Sequence, residues 1–172
     1  VLRQLSHAAL MEVTIVPSAD MTLEARINHV VPASLHDARM TTNDLAFRHK
    51  TEPPFTIITT SALSPSESVK TVASSVFLFP KEDGATPVYH KIPDSDKHYV
   101  WFQKTLKAGV PYTFSVVGSL ISSVHTADPL NQAERIVTYA RFQKSGELIR
   151  KHRQAWAELW ESDIIIEGDL QA

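Results

Sequence analysis

Apolar and polar residues alternate with a period of two over the first two-thirds of the chain, and the period lengthens to helical spacing beyond residue 127. Glu12-Val13-Thr14-Ile15-Val16 and Thr22-Leu23-Glu24-Ala25-Arg26-Ile27 have the alternation of half-buried strands. Pro17-Ser18-Ala19-Asp20 between them is a turn-sized break with turn chemistry. Residues 55–60 and 69–79 are rich in β-branched side chains, which pack well on a pleated surface. Ser64 to Ser68 separates these two runs and predicts antiparallel neighbours. Pro80 to Asp96 is polar, contains Gly84, Pro87 and Pro93, and reads as a long connection. Tyr99-Val100-Trp101-Phe102 follows, then a turn at 107–111, then a returning strand over 112–121. Strands joined by turns rather than crossover helices predict an antiparallel β-sandwich.

At Asp128-Pro129 the pattern changes. An aspartate can cap free amides, and proline suits the first helical position. Leu130, Ala133, Val137 and Ala140 then fall on one helical face. Ser145-Gly146 opens a second helix, in which Leu148, His152, Ala155, Trp156 and Leu159 share a face. Asp163-Ile164-Ile165-Ile166-Glu167 reads as a short strand ended by Gly168. The expected fold class is mainly β: a partial antiparallel sandwich over 1–127, then two helices and a short strand over 128–172.

Composition narrows the function classes. At 172 residues, 43% hydrophobic and 21% charged, the chain can bury a core without staples. A formal net charge of −2 lacks the broad basic footprint of a nucleic-acid binder. No apolar run approaches the roughly 18 residues that span a bilayer. With no cysteine, disulfides, thiol nucleophiles and zinc–thiolate sites are excluded.

The most specific text is the run His152-Arg153-Gln154-Ala155-Trp156-Ala157-Glu158-Leu159-Trp160-Glu161-Ser162-Asp163-Ile164-Ile165-Ile166-Glu167-Gly168-Asp169. It resembles the junction of glycoside hydrolase family 65, where a histidine and two tryptophans four apart lead to a short apolar strand ending in Gly-Asp. Leu2-Arg3-Gln4-Leu5, the stretch 73–80, the stretch 101–109 and Asp128 to Arg135 look like a bacterial branch of the same family. The resemblance covers essentially the whole chain. It implies maltose and trehalose phosphorylases, related α-glucoside hydrolases and acid trehalases, built from a β-supersandwich, a helical linker, an (α/α)6 barrel and a small β-domain. Such enzymes invert configuration: a glutamate in the barrel protonates the leaving oxygen while phosphate, or water with a second carboxylate, attacks the opposite face. Against that pattern the chain is expected to be truncated at its N-terminus and to stop where the barrel begins, leaving hydrolysis and phosphorolysis equally open. The resemblance further implies a barrel on the same polypeptide as partner, an oligo- or disaccharide as the parent's substrate, and a periplasmic or secreted location. Sheet edges and apolar faces left open by truncation predict self-association of the chain.

Each candidate for chemistry also has a structural role open to it. Glu158, Glu161, Asp163, Glu167 and Asp169 cluster suggestively, but acid–base work needs carboxylates flanking a sugar cleft. Trp156 and Trp160 could stack on sugar rings, yet their spacing with Leu148, Ala155 and Leu159 favours packing on the sandwich. Tyr99 and Trp101 share a strand face opposite Phe102, with core favoured over a sugar platform for Trp101. The eight histidines show no His-x-His or His-Glu-x-x-His pattern. No Gly-x-Ser-x-Gly elbow occurs, and Arg39, Arg48 and Lys50 form no basic stripe with interleaved aromatics. No catalytic residue, cofactor or metal is therefore expected here, no nucleic-acid or membrane partner either, and the substrate-binding residues stay unassigned. The competing class is a free-standing carbohydrate-binding sandwich without attached chemistry.

Overall fold

The computed structural model describes residues 1–45, 54–80, 88–91, 98–143 and 145–161. Among the described residues, eight strands precede two helices: β1 (Ala8–Ile15), β2 (Met21–His29), β3 (His36–Leu45), β4 (Phe55–Leu63), β5 (Lys70–Leu78), β6 (Val88–Lys91), β7 (His98–Leu106), β8 (Tyr112–Ser122), α1 (Pro129–Phe142) and α2 (Ser145–Trp160). They form an antiparallel β-sandwich, with a five-stranded sheet in the order β1-β8-β5-β4-β3 and a three-stranded sheet in the order β2-β7-β6.

The large sheet lies between two apolar layers, and neighbouring residues of its central strands serve opposite faces. Ile58, Phe77 and Phe114 turn towards the small sheet, where they meet Ile27, Val100, Phe102 and Leu106. Ile57, Val76 and Val117 turn the other way, onto Ile136, Val137 and Ala140 of α1. This double burial explains why β4 is buried along nearly its whole length and reads as a continuous β-branched run. Phe77 and Phe102 meet edge-to-face at 5.0 Å, and Phe102 and Phe114 at 5.1 Å, which locks the two sheets together.

The helix start is as the sequence predicts. Asp128 caps α1 by accepting from the Asn131 amide at 3.1 Å, with Pro129 at the first turn. Ala133, Val137 and Ala140 are wholly buried, but Leu130 remains exposed, lining a groove with Leu45 and Ile57. α1 packs across β5 and β8 as a third layer.

Three expectations need correction. The strand over 112–121 does not return along 99–102: β8 pairs with β1 and β5, whereas β7 pairs with β2 and β6 in the other sheet. The turn at 107–111 is therefore an arch between sheets, and so is the break at 17–20. Asp20 braces both, since its carboxylate accepts from Lys107 Nζ at 2.7 Å and from the Ala108 amide at 2.9 Å. Next, the connection from Pro80 to Asp96 contains β6. Finally, β3 went unread because it is an edge strand, largely exposed, whose Asp37, Arg39, Asn43 and Asp44 mask any alternation. β4 and β5 are antiparallel neighbours as expected. The strand expected over 163–167 lies outside the described residues.

Candidate functional site

The tryptophans singled out in the sequence sit on the outward side of α2. Only Leu148 of that helix is buried, and it plugs into the core beside Leu2 and Ala8. The N-terminal loop fastens the helix: Gln4 Nε2 donates to the Leu148 carbonyl at 2.9 Å, and the Arg3 amide donates to His152 Nδ1 at 3.0 Å. Beyond that point the helix stands clear. Trp156 is 38% exposed and Trp160 75% exposed, with their rings stacked at 6.4 Å and 24°. The Arg3 guanidinium lies 5.6 Å over Trp156, and His152 meets the same ring edge-on. The expectation that both tryptophans anchor the helix to the sandwich is thus corrected. Helical spacing with Leu148 was real, but the face runs off the sandwich after one turn.

Of the suggestive carboxylates, Glu158 and Glu161 are described, and both are exposed at the end of α2. Glu158 accepts from Gln154 Nε2 at 3.0 Å. Asp163, Glu167 and Asp169 lie outside the described residues. Among the described residues, Asp20 and Glu147 are both held below the usual carboxylate range by hydrogen bonds from Lys107 and Arg150. A general acid needs the opposite shift.

Tyr99 and Trp101 are half-buried on the outer face of the small sheet, while Val100 and Phe102 fill the core. The core reading for Trp101 is corrected accordingly. Arg26, directly opposite Trp101, reaches 5.2 Å over Tyr99 and pairs with Glu24.

Two features escaped the sequence. His29 ends the inward-facing series Leu23, Ala25, Ile27 and spans the sheets. Its Nδ1 bonds Thr60 Oγ1 and its Nε2 bonds Ser75 Oγ, both at 2.9 Å. Burial depresses its pKa to about 4, so it is a neutral strut at physiological pH. The period-two pattern through 23, 25, 27 and 29 was the available signal. The second feature is a groove of about 570 Å³ beside α1, over β3 and β4. Glu134 forms part of its wall and accepts from Asn43 Nδ2 at 2.7 Å and Thr59 Oγ1 at 3.0 Å. Among the described residues, no group of three or more His, Asp or Glu side chains is placed to hold a metal.

No protein-family model matches the chain. A kojibiose hydrolase of Mucilaginibacter mallensis is 38% identical over 175 residues, covering 99% of this chain and 25% of that protein. A kojibiose hydrolase of Flavobacterium johnsoniae is 36% identical over 172 residues, again with 99% and 25% coverage. Among solved structures, one described as a kojibiose phosphorylase from human microbiome superposes with a TM-score of 0.65 at 10% identity, over 94% of this chain and 21% of that one. That likeness bears on the fold alone. The chain spans about a quarter of the length of the curated relatives it matches. Over that quarter it is homologous to both kojibiose hydrolases along nearly its whole length.

Proposed function

We propose that this chain is the non-catalytic sandwich-and-linker part of an enzyme that cleaves an α-glucoside, by hydrolysis or phosphorolysis. The observation that carries this reading is the pairing of near-complete coverage of the chain with quarter coverage of two kojibiose hydrolases. Inverting cleavage needs an acid and an attacking group on opposite sides of the bond, and in this reading both stand in the barrel. The partner is a helical catalytic barrel of the same polypeptide, the substrate a kojibiose-, maltose- or trehalose-type disaccharide, and the location periplasmic or extracellular. The test is to express the uninterrupted reading frame around this chain and compare it with the chain alone. Activity on a disaccharide in the long product only is the expected result; a frame that encodes no barrel contradicts the reading.

A second reading, a free-standing carbohydrate-binding sandwich, draws on the exposed stack of Trp156 and Trp160. Retardation of the chain in gels containing soluble α-glucan, lost in Trp160→Ala, would favour it.

A further inference from the structure

Histidine spacing gives no hint of a metal site, but the fold brings together two histidines from opposite ends of the sandwich segment. His7, in the loop before β1, and His125, in the loop between β8 and α1, have ring centroids 4.8 Å apart at 63°. Both side chains are exposed. We propose that His7 and His125 form a two-imidazole site for a divalent transition-metal cation of the zinc, nickel and copper class, with water completing the coordination.

Separation comes first. An ion about 2.0–2.1 Å from one nitrogen of each ring stands roughly 3.2 Å from each centroid. Two imidazoles meeting it at angles between square and tetrahedral then have centroids roughly 4.5–5.2 Å apart. The observed separation falls inside that window.

The His125 ring and the His7 backbone are also held in place. His125 Nδ1 lies 3.0 Å from Ser122 Oγ, and the His125 amide donates to the Ser122 carbonyl at 3.0 Å. When Nδ1–H donates to that hydroxyl, the Nε2 lone pair is left for a cation, which is how hydrogen bonds behind a ligand fix its tautomer. His7 adopts φ 65°, a left-handed conformation uncommon outside glycine. Its carbonyl is fixed by the Leu120 amide at 3.0 Å, and the loop behind it is closed by the Leu2 amide donating to Ala8 at 2.8 Å. Backbone held in such a region at a functional group is a recognised sign of a positioned side chain. A bound cation would tie the N-terminal loop to the segment that launches α1.

Calorimetric titration of the metal-stripped chain with zinc, nickel and copper(II) salts, each alone, tests this. One equivalent should bind, copper most tightly, with a rise in melting temperature. His7→Asn, which tolerates the left-handed backbone, and His125→Asn should each abolish that equivalent. His36→Asn, at an exposed histidine elsewhere, should leave it intact, and Ser122→Ala should weaken it by about tenfold. Binding that survives both ligand variants overturns the proposal. So does the absence of one-equivalent binding, in which case the two rings only pack against each other.

Discussion

The guanidinium of Arg3 lies 5.6 Å above the ring of Trp156, joining the first residues of the chain to the last described helix. This contact, with the Arg3 amide on His152 and Gln4 on Leu148, makes the N-terminal loop the mooring of α2. The energy, however, is concentrated at Leu148, which is 1% exposed. Leu148→Ala should therefore destabilise the chain by about 2–5 kcal/mol, the range for emptying a buried leucine site. Trp156→Ala should cost roughly 1–2 kcal/mol, from a partly exposed ring and one cation–π contact. Trp160→Ala should stay within about 0.5 kcal/mol. Denaturant unfolding monitored by circular dichroism gives the three values. A Trp156→Ala loss equal to that of Leu148→Ala would show that the exposed ring is a core anchor after all.

His29 makes stability depend on pH. Its folded pKa is depressed to about 4 from the ordinary 6.5, so between these values the unfolded chain binds a proton that the folded chain refuses. Stability is then complete above pH 6.5, falls as pH drops towards 4, and levels off below. The full loss is about 3 kcal/mol. His29→Gln should flatten this slope, whatever it does to stability at pH 7. An unchanged slope in the variant would assign the effect elsewhere.

Two cap and packing changes test α1 as the third layer. Asp128→Ala removes the acceptor for the Asn131 amide and should cost about 1 kcal/mol. Ala133→Leu forces extra volume between Val72 and Ile121 and should cost roughly 1–3 kcal/mol. Near-neutral thermal melts for both would mean that α1 is only loosely laid on the sheet.

If open edges drive self-association, the large sheet is expected to pair through β1 rather than β3. β3 carries Asp37, Arg39 and Asp44 and a register break between His36 and Arg39, devices that discourage strand addition. β1, at the other end of the same sheet, exposes Met11 and has no such break in its pairing. Light scattering should find a dimer that Met11→Lys dissociates. A wild-type monomer at all concentrations rules this association out.

How much of this was legible in the sequence depended on what each residue's neighbours were. β4 announced itself because burial on both faces selects a run of Ile and Thr, and β5 through its Val and Phe positions. Asp128-Pro129 marked α1 because capping is local chemistry. β3 did not, since an edge strand in contact with solvent has no need to alternate. Hairpins and arches look alike along a chain, so the assignment of β7 and β8 to different sheets was out of reach. Helical spacing put Trp156 on the face of Leu148, but whether that face is covered depends on where the sandwich ends. The meeting of His7 and His125 is purely tertiary.

In the function proposed above, this chain is part of an α-glucoside-cleaving enzyme and carries none of its chemistry. The purified 172-residue chain should therefore release no glucose or glucose phosphate from kojibiose, maltose or trehalose, with or without inorganic phosphate. Product formation above that of a heat-denatured control would contradict it.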